Sequence, residues 1–243
     1  MVVLNPESVI TGPARSERWA RALRIDLGTL NSTLAISREN RLPRSAVVVT
    51  LAAREMMRIS KAGEKVDNIV VFGSEVDPTR HPGFREISEN LRALRAKWFP
   101  RAKLALISND PQLSDMDVRI SLGFYDKPVI RLEHGTVKTY QKLTGHKSAQ
   151  LTEIVHQLSS LEKVIIQAEF ISGEVDNSTE AEVKGWIKRL RDVKPLEVFV
   201  SSPSIRPKKG QKPGIAPKRL KEIAAMVTEE IGATVTVLDK AAL

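Results

Sequence analysis

Polar residues that could bind a ligand lie at or just beyond the ends of several apolar, β-branched runs of this 243-residue chain. They are Asp77, Ser108, Asn109, Arg131 and Glu133. Carboxylates bind ammonium groups through charge-assisted hydrogen bonds, and arginine binds anionic groups such as phosphate. The sequence therefore predicts a small-ligand site at the ends of strands. A structural alternative stays open, since Asp, Ser and Asn also cap helices and close loops.

Six short runs predict the strands that would carry these residues. The runs are nearly continuous in apolar residues, which is typical of parallel strands covered on both faces. They span residues 22–27, 68–73, 103–108, 128–133, 164–171 and 197–202. A seventh apolar run, 233–238, could close one edge of the sheet or pair antiparallel.

Helical patterns alternate with these strands. Ile87, Leu91 and Leu94 recur at helical spacing in one of them. The predicted helices span residues 45–60, 84–99, 151–161, 179–191 and 217–231. Repeated strand–helix–strand units indicate an α/β protein with right-handed crossovers. Two architectures remain as alternatives: a partial, six-unit TIM-like β/α barrel with outer helices, and a doubly wound sheet. Both place ligands at the carboxyl ends of the strands.

The usual catalytic and metal-binding motifs are absent from the sequence. The chain has no cysteine, so it cannot form a disulfide, a thiolate zinc site, a catalytic thiol or an ordinary iron–sulfur cluster. Its four histidines are dispersed and predict no local metal site. Neither a G-x-S-x-G, an H-E-x-x-H nor a Walker loop occurs.

The loop at residues 73–82 resembles the G-E-P-T-L-H-P segment of radical S-adenosylmethionine proteins. The resemblance implies that Asp77 matches the acidic residue that holds the amino group of the cofactor, although Val76 replaces the preceding glycine and Arg131 replaces a serine. Residues 12–18 and 22–27 are similar to the opening of the branch that contains wyosine-type tRNA synthases. The resemblance favours the partial barrel.

In that branch, a C-x-x-x-C-x-x-C triplet that ligates an iron–sulfur cluster begins six residues after the first strand. The same distance in this chain leads to Thr33, Ser37 and Asn40. Hydroxyl and carboxamide oxygens are hard, neutral ligands that suit such a cluster poorly. The resemblance therefore implies a degenerate member without a cluster, and radical chemistry would need a partner-supplied cluster or a sequence altered by mutagenesis.

The charge distribution favours an anionic partner. There are 38 Lys and Arg against 29 Asp and Glu, a formal net charge of +9, which suits RNA, although a protein can be basic for other reasons. Basic residues concentrate in an N-terminal arm at residues 1–21 and in a Pro- and Gly-rich basic loop at 203–216. The composition of the loop predicts an extended, mobile segment that could lie along a phosphate backbone; the alternative is an ordinary solvated surface loop. The predicted RNA-binding residues are Arg15, Arg18, Arg21, Arg24, Arg206, Lys208, Lys209 and Lys212.

Two functions are consistent with these features. The first is a non-catalytic, repurposed barrel of one domain, residues 1–243, that binds RNA or a ribonucleoprotein and could have a protein partner. The second is an enzyme that binds S-adenosylmethionine or a nucleotide and acts on tRNA by non-radical chemistry. No run approaches 18 apolar residues, so we expect a cytoplasmic protein without a membrane partner.

Overall fold

The computed structural model describes residues 9–16, 18–30, 34–37, 40–206, 210 and 212–238. The chain separates into two compact units, residues 1–130 and 131–243. Each unit combines strands with the helices that connect them in sequence. The prediction of one domain stays a prediction.

The first unit begins with an antiparallel hairpin and continues with parallel strands. Its strands are β1 Ile10–Ser16, β2 Ala20–Asp26, β3 Asn68–Phe72, β4 Lys103–Ser108 and β5 Lys127–Arg131, which ends at the boundary. Its helices are α1 Ser45–Lys61, α2 Phe84–Trp98 and α3 Met116–Leu122, with a 3₁₀ helix at Pro78–Arg80. β1 pairs antiparallel with β2, whereas β2, β3, β4 and β5 pair parallel in sequence order.

Parallel register brings the ends of these strands together at one edge. Asp26 pairs with Phe72, and Ser108 pairs with Ile130. Central strand residues such as Leu23, Ile69 and Leu104 are fully buried, because the strands are covered by apolar side chains. The loops after β2, β3 and β4 therefore leave the sheet side by side.

The second unit repeats the parallel pattern. Its strands are β6 Ile165–Glu169, β7 Glu197–Ser201 and β8 Thr234–Leu238, and its helices are α4 Val137–Thr144, α5 Ser148–Ser159, α6 Glu180–Val193 and α7 Pro217–Ile231. β6, β7 and β8 pair parallel. Trp186 of α6 is buried, its indole donates a hydrogen bond of 2.7 Å to the Leu132 carbonyl, and its ring meets Phe170 edge-on.

These pairings confirm the predicted α/β class, the six parallel strands and the five helices, within a few residues at each end. The seventh run is β8, and its antiparallel alternative is wrong because it pairs parallel with β7. Strand β1, helices α3 and α4 and the 3₁₀ helix were not predicted. Residues 10–16 of the predicted basic arm form β1. No helix among the described residues is long and apolar enough to cross a membrane.

Candidate functional site

The carboxylate of Asp77 ties together the loops that follow β3 and β4. Its Oδ1 accepts hydrogen bonds from the amide and hydroxyl of Thr79 at 3.0 and 2.6 Å. The hydroxyl of Ser108 donates to both carboxylate oxygens, at 2.9 and 2.8 Å. Oδ2 also accepts the backbone amides of Asn109 and Asp110, both at 2.9 Å. A carboxylate offers about four acceptor positions, so five protein donor groups occupy this one fully.

Three of the predicted cofactor residues therefore lie together in the structure, as Asp77 contacts both Ser108 and Asn109. The hydrogen bonds described for the Asp77 carboxylate are made to protein groups of these two loops. Asp77 precedes the 3₁₀ helix and caps it, which matches the structural alternative raised by the sequence. A cofactor at these residues stays a prediction, and an ammonium group would have to displace protein donors from Asp77.

A polar cavity of about 370 Å³ lies above this capping cluster. It is lined by residues 73–77, Arg80, Asn109 and Asp110, and Arg80 forms an ion pair with Asp110. A Cβ atom added to Gly28 or to Gly73 would lie 1.9 Å from the Val76 carbonyl oxygen. The glycines at these strand ends are thus required by the close approach of the protein's own backbone at Val76.

Buried His81 links the loop after β3 to the segment that precedes α1. Its Nε2 lies 2.6 Å from the Pro43 carbonyl oxygen, and the Gly83 amide lies 3.0 Å from Nδ1. An amide can only donate, so Nδ1 accepts, Nε2 carries the proton and the ring is neutral. Burial lowers the pKa of His81 in the folded chain.

Arg131 and Glu133 form an ion cluster in the second unit, as the sequence grouped them. The Nε of Arg131 donates to Glu133 Oε2 at 2.7 Å, and another guanidinium nitrogen lies 3.5 Å from Glu169 Oε1. The Glu169 amide also donates to Glu133 Oε2, at 3.1 Å. Burial raises the pKa of the Glu169 carboxyl, against the opposing effect of the Arg131 charge.

The charge of Arg131 is thus neutralised by two carboxylates of the protein. This arrangement favours a position filled by the protein's own side chains over a site that binds an anion. Glu169 was not among the predicted site residues. The available signal was a charged residue inside the otherwise mostly apolar run 164–171, and in the structure strand β6 ends at Glu169. His134 follows the cluster. Its buried Nδ1 atom has no hydrogen-bond partner within the described ranges, and burial lowers the pKa of the His134 ring.

Two of the three predicted cluster-binding positions, Ser37 and Asn40, form a local turn. Thr33 lies outside the described residues. The Ser37 hydroxyl accepts the Asn40 amide at 3.0 Å, and the Asn40 side-chain oxygen accepts the Leu42 amide at 3.1 Å. These oxygens already serve the turn, and none is a thiolate, so the residues present do not fit an iron–sulfur cluster. Within the described ranges, no group of three or more metal-binding side chains occurs.

Part of the basic loop is held against the ends of β6 and β7. Gly214 forms a bridge with Ile171, and the Ser172 amide donates to the Pro213 carbonyl at 2.9 Å. The Ile215 amide donates to Ser202 Oγ at 2.8 Å. Residues 213–215 are thus pinned, in contrast to the expected mobile loop.

The basic side chains of this loop are described in part. Lys208 and Lys209 lie outside the described residues, whereas Arg206 and Lys212 are exposed. Lys212 lies close enough to Glu169 for its charge to oppose the rise in the pKa of that carboxyl. Lys212 therefore lies near the carboxyl end of β6, at the edge where ligands bind in parallel sheets.

The four N-terminal arginines do not form one surface. Arg15 of β1 pairs with Arg21 of β2 at the closed end of the hairpin. Arg24 lies on the opposite face of β2, with its guanidinium over the Phe72 ring at 5.2 Å. Arg18 lies in the turn, over the Trp19 ring at 4.8 Å.

Comparison with known proteins gives a likeness of structure only. No family model matches the sequence, and no curated protein matches it. The crystal structure of Streptococcus suis SuiB bound to precursor peptide SuiA aligns with a TM-score of 0.60 and 16% identity, over 85% of this chain and 45% of the SuiB chain. A domain of a pyruvate-formate lyase-activating enzyme from Bacteroides vulgatus aligns with a TM-score of 0.53 and 14% identity, over 70% of this chain and 98% of that domain.

Both proteins are radical S-adenosylmethionine enzymes. This chain spans less than half of the SuiB chain, and identities this low show the fold alone. The likeness agrees with the parallel strands and intervening helices described above, and it confirms the predicted partial β/α barrel class. The chain therefore shares a fold with these two proteins, and its own sequence contains no cysteine.

Proposed function

We propose that this chain is a degenerate radical S-adenosylmethionine protein, of the branch resembling wyosine-type tRNA synthases, that binds RNA or a ribonucleoprotein without catalysing a reaction. The observation that carries the proposal is the occupied carboxylate of Asp77 in a chain without cysteine. Among the described residues, Asp77 has no acceptor position free for the amino group of a cofactor, and Ser37 and Asn40 offer no thiolate to a cluster. The site is held together by its own loops.

The loss of thiolates removes the source of the radical. In this superfamily the cluster passes one electron to the bound cofactor, and the cluster needs sulfur ligands to stay in place. Ser37 and Asn40 instead donate and accept within their own turn. A chain that keeps the fold but not these ligands retains a scaffold whose surface can still bind a partner.

The charge of the chain supports RNA as that partner. An excess of nine positive charges attracts a polyanion at long range. The basic loop concentrates Arg206, Lys208, Lys209 and Lys212 within seven residues. Contacts with phosphates would supply affinity with little reading of the RNA sequence. Aromatic residues are only 5% of the chain, which disfavours a platform that stacks single-stranded bases.

The proposal is tested by measuring the affinity for labelled tRNA by fluorescence anisotropy across a series of salt concentrations. We expect a variant with Lys208, Lys209 and Lys212 replaced by alanine to bind more weakly. The slope of log affinity against log salt should become shallower by about two to three units, at about 0.7 to 0.9 per phosphate.

The matched control replaces three exposed lysines outside the basic loop, Lys61, Lys65 and Lys163, by alanine. It makes the same change in net charge at other places. If both triple variants lose affinity equally, attraction by net charge explains the binding and the loop has no special role. If the wild-type protein binds no RNA at low salt, and no RNA crosslinks to it in its own cells, the proposed function is wrong.

A further inference from the structure

The register of the β1–β2 hairpin places two arginines directly opposite each other. Arg15 pairs with Arg21, between the pairs Ala14–Ala22 and Ser16–Ala20. Directly opposite residues of an antiparallel pair lie on the same face, with Cβ atoms about 4.5 to 5.5 Å apart. Like charges in this position destabilise a sheet, so the hairpin carries an unfavourable contact at its closed end.

No acidic side chain within the described part of the chain forms an ion pair with either guanidinium. Asp67 lies beside Arg21, but its Oδ2 accepts the Arg21 backbone amide, at 3.1 Å. Glu17 lies outside the described residues. Arg15 is exposed and Arg21 is half-buried, so both side chains reach solvent. An anion from outside could therefore approach both charges.

We propose that Arg15 and Arg21 form a clamp that binds one phosphate group of an RNA backbone. A guanidinium presents a planar fork of N–H donors that matches two phosphate oxygens. Two arginines whose guanidinium groups form no ion pair within the described residues can offer such donors to a phosphate from two sides. A phosphate between them replaces a repulsive contact with two attractive ones. The proposal rests on the RNA-binding function proposed above and adds where one phosphate binds and which residues hold it.

The clamp excludes the other arginine of β2. Arg24 lies on the opposite face of the strand and stacks on Phe72. The clamp also lies at the start of β2, whereas Asp26 lies at the carboxyl end of the same strand. The Oδ1 atom of Asp26 accepts the amides of Gly28 and Ser74, which lie beyond that carboxyl end. The phosphate contact is thus separate from the cavity above Asp77.

The first experiment measures RNA affinity for R15A, R21A and the double variant R15A/R21A across a salt series. We expect each single variant to bind about tenfold more weakly. The double variant should lose little more than either single variant, because both arginines hold the same phosphate. Its salt slope should become shallower by about 0.7, the value for one phosphate of a single strand, where two separate contacts would give about 1.4. R101A is the control, since Arg101 is exposed in the same unit.

The second experiment needs no RNA. Thermal unfolding is compared in inorganic phosphate and in chloride at equal ionic strength. A ligand that binds only the native state raises the melting temperature, so phosphate should stabilise the wild type and R101A, but not R15A. In chloride, R15E should melt about 1 to 3 °C higher than the wild type, because a cross-strand ion pair replaces two like charges.

The two experiments separate the clamp from the RNA-binding function. If phosphate stabilises the wild type but not R15A, and no variant binds RNA, the clamp stands and the RNA-binding function is wrong. If RNA binds the double variant as tightly as the wild type, and phosphate raises every melting temperature equally, the clamp is wrong and the RNA contact lies elsewhere. A lower melting temperature for R15E than for the wild type in chloride would also overturn the clamp, because the two arginines would then not oppose each other.

Discussion

Replacement of Asp77 by alanine should lower the free energy of unfolding by about 2 to 6 kcal/mol, because each of two buried donors left without an acceptor costs about 1 to 3 kcal/mol. Two of its donors are hydroxyls in buried residues, since Ser108 is 1% exposed and Thr79 is 4% exposed. The amides of Asn109 and Asp110 lie nearer the surface and can regain hydrogen bonds to water. The loss therefore comes mainly from the two hydroxyls.

The measurement is urea unfolding followed by circular dichroism, with linear extrapolation to water. The control is Asp110→Ala, which breaks the ion pair with Arg80. Both partners of that pair are close to half exposed, at 44% and 47%, and an exposed pair is worth about 0 to 1 kcal/mol. Asp77→Ala should therefore destabilise the chain clearly more than its neighbour does.

If Asp77 instead served a cofactor, its replacement by alanine should change the free energy of unfolding little. A carboxylate kept for a ligand contributes little to the stability of the ligand-free protein. The capping role would be refuted if Asp77→Ala unfolded within about 0.5 kcal/mol of the wild type, the range of ordinary surface substitutions. A saturable rise in melting temperature with S-adenosylmethionine, lost in the same variant, would then favour the enzyme. We expect no such rise in the wild type at millimolar cofactor.

Three further outcomes follow from the site. The free energy of unfolding should fall as the pH drops below about 6.5, because burial lowers the pKa of His81 and His134 and the unfolded chain then binds more protons than the folded chain. Urea unfolding from pH 7 to pH 5 measures this pH dependence. The double variant His81→Gln with His134→Gln should show a flatter pH dependence. Gly214→Ala should make the basic loop more sensitive to limited proteolysis, since its Cβ would lie 1.9 Å from the Pro203 carbonyl oxygen; an unchanged cleavage rate contradicts this. Anaerobic reconstitution with iron and sulfide should yield no cluster absorbance that survives gel filtration, because no thiolate is present.

Much of the fold could be read from local pattern. The run NIVVF is apolar throughout and forms the buried strand β3. Helix α7 begins at Pro217 and ends before Gly232, whose φ of +68° suits glycine. Strand β1 was not predicted, because Gly12 and Pro13 interrupt a largely polar segment whose one strand partner among the described residues is β2. Its strand state depends on a partner and not on its own composition.

The sequence by itself determined which chemistry the chain lacks and which residues reach the strand ends. The absence of cysteine excludes a thiolate-bound cluster in any arrangement of the chain. Sequence also placed Asp77, Ser108 and Asn109 at or just beyond the ends of strands. It left open whether Asp77 caps a loop or faces a ligand, because both uses need the same residue types in the same places.

Only the tertiary structure shows which protein groups the Asp77 carboxylate contacts. Asp77 and Ser108 are 31 residues apart, and the parallel register of β3 and β4 brings them within 2.8 Å. Register likewise set Arg15 against Arg21 and separated both from Arg24, although all three look equivalent in the sequence. A carboxylate has few acceptor positions and a strand has only two faces, so the partner that folding brings to each side chain determines what remains for a ligand.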